Sequence, residues 1–146
     1  NYKLSPYWKV KEYLMNIGKA ASKAGLSVKT VRYYANIGMV AAYQDPQTGY
    51  REYSDDDVAK LQFIGKARRF NFSIEECREL LSLYQDKNRP SKEVKALTLE
   101  KIAEIEEKLA ELQGLRDQLH HLATHCQGDD RPDCPILEAL SASPDR

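Results

Sequence analysis

The chain has 146 residues, about one domain's worth, with 42% hydrophobic and 30% charged side chains and a formal net charge of zero. No apolar run approaches the roughly 18–20 residues of a membrane span, and the N-terminus lacks the basic-then-apolar pattern of a secretory signal. The sequence therefore reads as cytoplasmic, with no membrane partner. Neutrality hides an asymmetry: residues 1–73 carry 12 Lys and Arg against 6 Asp and Glu, whereas residues 74–146 carry 10 against 16. A basic half joined to an acidic half is the pattern expected where the basic half meets nucleic acid, and chance surface charge is the alternative. An odd count of cysteines (Cys77, Cys126 and Cys134) argues against a disulfide framework and leaves metal binding, redox chemistry or packing.

Residues 1–14 match poorly with the rest of the chain and read as a leader or upstream extension. Tyr7, Trp8, Val10 and Leu14 give the segment at most a short amphipathic helix. A helix is expected over Ile17 to Ala24, with Ala20, Ala21 and Ala24 as small packing residues and Gly25 as its end. Ser27 then caps a second helix over 28–37, closed by Gly38. Two short helices around a tight glycine turn form a helix-turn-helix, in which small residues on the first let the second cross closely. Pro46 and Gly49 mark the turn of a β-hairpin over 43–53, a wing, with Tyr50 and Arg51 near its tip. Ser54 and Asp55, Asp56 and Asp57 start a third helix carrying Val58, Leu61, Ile64 and Ala67, and Asn71 and Ser73 break and cap before a helix over 74–84.

The loop from Asp86 to Pro90 leads into a long helix over 91–124. From Ile102 through Ile105, Leu109, Leu112, Leu115 and Leu119 to Leu122 the apolar steps are three or four, a coiled-coil seam with one irregular step at Leu112–Leu115. So long a seam finds no cover in so small a chain, and pairing with a second copy is the simple solution. The expected fold is thus mainly α: a winged helix-turn-helix DNA-binding domain over 15–85, a dimerisation helix over 91–124, and a metal-binding loop with a short C-terminal helix over 125–146.

Three sets of residues carry chemistry. Lys29, Arg32 and Tyr34 lie on the second helix, where Arg can pair with guanine in the major groove and Lys and Tyr with phosphates. Tyr50 and Arg51 of the wing can grip the flanking backbone, and Tyr33 is assigned to the core side. Cys126 and Cys134 are joined by a Gly- and Asp-rich loop that can turn both sulfurs to one point. Two thiolates satisfy a d10 monovalent ion, whereas Zn²⁺ normally takes four ligands. His125 beside Cys126 is a possible outer partner of such an ion, and Cys77, on an apolar face, reads as a buried small hydrophobe. A competing reading is a reversible Cys126–Cys134 disulfide, against which the acids Asp129, Asp130 and Asp133 weigh by raising a thiol pKa. No nucleophile–base set and no phosphate-cradling glycine loop is present, so the chain does not read as an enzyme.

Several segments together resemble the MerR family of transcription regulators: MNIGKAA, TVRYY on the second helix, GYREY in the wing, LQFIGKARRFNFSIEECRELL and the CQGDDRPDCPI tail. KEVK, the long helix and the tail are similar to the copper-efflux branch, of the CueR or HmrR kind, and the resemblance covers Met15 to Leu140. It implies a dimeric, metal-responsive activator that remodels DNA at a promoter with an overlong spacer, so that RNA polymerase can use it. It implies Cu(I) as the ion, with Ag(I) and Au(I) as mimics, because divalent-metal relatives add a cysteine at the start of the long helix, where Ser91 stands here. The alternative within the family is a divalent sensor for Zn, Cd or Hg. Two departures are Ala35, where the family usually has Glu, and Asp45, where many relatives carry Arg that contacts the DNA backbone.

Overall fold

The computed structural model describes residues 2–4, 13–128, 132 and 134–141. In chain order the elements are β1 (Tyr2–Leu4), β2 (Tyr13–Met15), α1 (Ile17–Ala24), α2 (Val28–Asn36), β3 (Tyr43–Gln44), β4 (Arg51–Glu52), α3 (Asp55–Arg69), α4 (Ile74–Gln85), α5 (Ser91–His125) and α6 (Pro135–Ser141). The chain divides into two compact units, Asn1–Val94 and Lys95–Arg146.

In the first unit each helix starts where a side chain can take up a free backbone N–H. Asn16 accepts from Lys19 N at 2.8 Å and Ser27 from Thr30 N at 3.1 Å. Ser54 and Ser73 go further: each forms a reciprocal capping box, with Asp57 and Glu76 respectively. Gly25 ends α1 in the left-handed region at φ 71°, where a Cβ is strained, and its N–H reaches back to the carbonyls of Ala21 and Ser22. Ala20 and Ala21 are buried, as the close crossing of α2 requires, and Val31 and Tyr34 of α2 meet them in a core completed by Met39, Val40, Tyr53, Val58, Leu61, Ile64, Phe72, Cys77 and Leu81. α3 carries three Asp in its first turn and Lys66, Arg68 and Arg69 in its last, so both ends oppose the helix dipole. Asn71 turns the chain from α3 to α4 at φ 69°, and Arg68 Nη1 donates to Phe72 O at 2.8 Å across that turn.

The two small sheets are both antiparallel. β3 and β4 form the wing, with Tyr43 opposite Glu52 and Gln44 opposite Arg51. β1 pairs with β2 in the register Tyr2 to Met15 and Leu4 to Tyr13. Residues 1–14 therefore depart from the expected amphipathic helix wherever they are described. Leu14 and Met15 are buried, and strand pairing satisfies the backbone beside them. Tyr7, Trp8 and Val10 lie outside the described residues. Met15 also bridges to Tyr53 through Met15 N to Tyr53 O at 2.8 Å and Tyr53 N to Met15 O at 2.7 Å.

In the second unit α5 is the main element. The whole helix has 35 residues and is about 50 Å long at ~1.5 Å per residue. Ile102, Leu109, Leu112, Leu115 and Leu119 are between 43% and 61% exposed, so most of the seam is uncovered in a single copy. Among the described residues no helix is long and apolar enough to cross a membrane.

Asp57 gives a test of this framework. Burial pushes its carboxyl pKa above the ordinary value, although hydrogen bonds from the Ser54 backbone and hydroxyl pull it down. The folded state thus holds this proton more tightly than the unfolded chain, and stability falls as pH rises from the ordinary carboxyl pKa through the raised one. Asp57→Asn keeps an acceptor for Ser54 N and is expected to be at least as stable as the wild type in urea at pH 7. That advantage should vanish below the ordinary carboxyl range. Asp57→Ala should lose about 1 kcal/mol, the scale of a lost cap partner. A clear destabilisation by Asp57→Asn at pH 7 contradicts this account.

Candidate DNA interface and thiol loop

α2 and the wing converge on one concave face. A cleft of about 570 Å³ is lined by Arg32 of α2, by Gln44, Thr48, Gly49, Tyr50 and Arg51 of the wing, and by Tyr53. Three of the expected DNA contacts, Arg32, Tyr50 and Arg51, therefore share a cleft. Lys29 is exposed near the start of α2, on the helix that carries Arg32. Tyr34 does not belong to this face. It is 5% exposed and packed in the core, burial pushing its phenol pKa up, whereas Tyr33 is 48% exposed. The sequence reading had these two tyrosines exchanged. The reason is helical phase: Val31 and Tyr34 lie three apart on the buried stripe, and at about 100° per residue Tyr33 falls outside it, beside Lys29 and Arg32. Tyr33 is thus a surface aromatic that the sequence reading missed, and the phase of Val31 was the signal that could have found it.

The wing tip is built around Asp45. Its Oδ1 accepts from Gln47 N at 2.8 Å and from Thr48 N at 3.4 Å, while its backbone exchanges bonds with Gly49 N at 2.8 Å and Tyr50 O at 2.9 Å. The carboxylate is a turn-former, an Asx turn of the kind short acids make readily. Tyr50 projects from this turn, 76% exposed. Tyr53 behind it is fully buried, burial raising its phenol pKa, and its hydroxyl has no partner among the described residues.

At the other end of the chain, Cys126 continues the hydrogen bonding of α5 through its N–H to Leu122 O at 3.1 Å, and Cys134 O accepts from Glu138 N at 3.0 Å at the start of α6. Both thiols are free and half-buried. The Cys126 side chain is near enough to Cys134 to act on its thiol. The Cys134 thiol pKa is lowered, first by the Leu137 backbone N–H, with desolvation opposing it and the Ile136 backbone N–H and the Cys126 side chain adding to the lowering against a weaker effect of Glu138. Backbone N–H groups at a helix start thus favour the thiolate of Cys134, while the nearby acid Glu138 acts in the opposite direction. Asp129, Asp130 and Asp133 lie outside the described residues. Two adjacent sulfurs, one with donors that favour its anion, fit a soft ion that accepts few ligands. His125 is exposed and its Nδ1 is engaged by the His121 carbonyl, Ser91 is exposed as the first residue of α5, and Cys77 is buried with its thiol donating to Phe72 O at 3.8 Å.

Two family profiles match the chain: "MerR HTH family regulatory protein" over residues 15–83 and "MerR, DNA binding" over residues 58–122. The HTH-type transcriptional regulator HmrR of Rhizobium leguminosarum bv. viciae is 50% identical over 127 residues, 87% of this chain and 98% of its own length. The HTH-type transcriptional regulator CueR of Salmonella typhimurium is 46% identical over 127 residues, 87% of this chain and 92% of its own. Among solved structures, the transcription regulator PbrR691 of Ralstonia metallidurans CH34, in complex with lead(II), is similar with a TM-score of 0.74 and 31% identity, covering 87% of this chain and 99% of that one.

The exchange of the two tyrosines is open to measurement. Tyr34→Ala should lower unfolding stability by about 3 kcal/mol or more, as large aromatic truncations in a core do. Tyr33→Ala should stay within about 0.5 kcal/mol of the wild type, as at other surface positions. Equal losses in the two variants, read by urea unfolding, contradict the placement.

Proposed function

The chain belongs to the MerR family of helix-turn-helix transcription regulators, and from that premise we propose that it is a Cu(I)-responsive activator that binds its operator as a dimer. A regulator of this kind is not an enzyme. The observation that carries the choice of ion is the contact between the Cys126 and Cys134 side chains, with backbone donors on the latter sulfur. Ag(I) and Au(I), which share the ligand chemistry, are mimics. Cys126 and Cys134 would hold the ion, whose chemistry there would be soft-ligand binding to thiolates. One cysteine ends the hydrogen bonding of α5 and the other precedes α6, so a ligand shared by both sulfurs couples two helix ends.

In this reading Arg32 reads a base edge, while Lys29, Tyr33, Tyr50 and Arg51 position the protein on phosphates. The seam of α5 pairs with a second copy, each buried Leu contributing about 1.5–3 kcal/mol. Two readers fixed to one dimer suit a symmetric operator. Metal state and DNA conformation are then linked reciprocally, and RNA polymerase at an overlong-spacer promoter in the cytoplasm is the beneficiary. Ser91, a poor soft ligand, weighs against the divalent alternative, although PbrR691 is a lead(II) complex by its description. A second reading, a thiol–disulfide switch, draws support from the lowered Cys134 pKa and the proximity of the two free thiols.

Cys126→Ser or Cys134→Ser should abolish a Cu(I)-driven promoter-fusion response while operator binding in gel shifts persists. Arg32→Ala should do the reverse, weakening specific binding by about 1–3 kcal/mol and sparing Cu(I) uptake. X-ray absorption of the loaded protein should give two short sulfur scatterers and no imidazole shell. A four-ligand shell overturns the copper reading in favour of a divalent ion, and a response to oxidant without metal favours the switch.

The pairing is tested separately. Glu at both Leu109 and Leu112 should convert the protein to a monomer or make it insoluble, read by sedimentation. A wild-type chain that is monomeric at micromolar concentration is the result that removes the seam from the interface.

A further inference from the structure

Beyond the thiols, α5 carries a second set of ligand-type side chains. Asp117, His121 and His125 follow one another at spacings of four, stacked along one face of the helix. The rings of His121 and His125 have centroids 4.1 Å apart and planes tilted by 41°. His125 Nδ1 lies 2.8 Å from the His121 carbonyl oxygen. A carbonyl only accepts, so Nδ1 is the donor and the neutral ring keeps its Nε2 lone pair free. Neither ring nitrogen of His121 has a partner among the described residues. Asp117 and His121 both line a cleft of about 470 Å³ that Ala139 of α6 closes on one side. Asp117 is held by an exposed ion pair to its neighbour Arg116 at 3.0 Å, a contact that costs little to exchange.

We propose that this row is a second cation site, separate from the thiol pair, for a divalent ion of borderline softness such as Zn²⁺ or Ni²⁺. Imidazole suits these ions and a carboxylate completes their preference, whereas a soft monovalent ion favours sulfur. No three ligand groups are already gathered within reach of one ion among the described residues. The two imidazoles are therefore the anchor, and the Asp117 carboxylate and water complete the shell after side-chain rotation. Binding weaker than at a preassembled structural site follows from that reorganisation. An ion bridging residues one turn apart also clamps the last turns of α5, which lead directly into Cys126. His120 lies about 100° around the helix from His121 and takes no part.

The site does not depend on the copper reading, and the test keeps the two apart. Zn²⁺ is titrated calorimetrically into the full chain carrying Cys126→Ser and Cys134→Ser. One Zn²⁺ per chain is expected, with a nitrogen and oxygen shell and no sulfur at the zinc absorption edge. Adding His121→Asn should weaken binding at least about 10-fold, the smaller end of what even an outer partner contributes. Adding His120→Asn should leave it unchanged, and both histidines are exposed, so helix content by circular dichroism should not move. Loss of zinc binding in the thiol-free chain, or equal affinities for the His121→Asn and His120→Asn chains, overturns the proposal. In the thiol-containing protein His121→Asn should keep the Cu(I) response. A missing Cu(I) response with zinc binding intact sinks the copper reading alone.

Discussion

Two backbone hydrogen bonds between Met15 and Tyr53 set the geometry of the reading face. They tie the strand entering α1 to the segment leaving the wing, across nearly forty residues of chain. Without that tie the wing is an isolated two-stranded hairpin, which is marginal in water. With it, Tyr53 is pinned at the back of the cleft, and Arg51 and Tyr50 next to it are held opposite Arg32. The helix-turn-helix supplies one wall and the bridge supplies the other. The buried Ala20 and Ala21 matter for the same reason: they let α2 sit close enough to α1 for its outer face to share the cleft.

Most of this architecture is legible in the sequence because it is written in local signals. Ser27, Ser54 and Ser73 mark helix starts, Gly25 marks an end, and the Asp45 to Gly49 turn marks the wing. What escapes is what depends on partners far along the chain. Strand β2 carries no alternating pattern long enough to stand out, and its pairing with Tyr53 is a tertiary fact. Tyr33 and Tyr34 are chemically identical neighbours, so only the phase set by Val31 separates them. Asp45 looks unfavourable beside a phosphate until its hydrogen bonds to Gln47 and Thr48 are seen.

The thiol loop shows the same division. Spacing alone indicates that Cys126 and Cys134 can meet, and the Cys126 side chain acts on the Cys134 thiol. The lowering of the Cys134 pKa is not written in the local composition, because it comes first from a backbone donor, that of Leu137. Cys77, in contrast, is readable from helical periodicity, since its position between Ile74 and Leu81 fixes it on the apolar stripe. The cysteine environments divide as two half-buried thiols at helix ends and one buried thiol in a core.

The uncovered seam of α5 has a thermodynamic corollary. A helix of this length whose apolar side chains face water gains little from its own propensity, and its order derives from whatever covers that side. If a second copy supplies that cover, as proposed above, folding of the second unit and meeting of two copies are one equilibrium, governed by mass action. Thermal stability would then depend on protein concentration, and dilution alone would loosen the helix that leads to the thiols. An operator that holds two copies side by side raises their local concentration far above that of the surrounding solution. On that proposal DNA would assist the folding of the second unit, and a copy free in dilute solution would be less ordered than one already on its site.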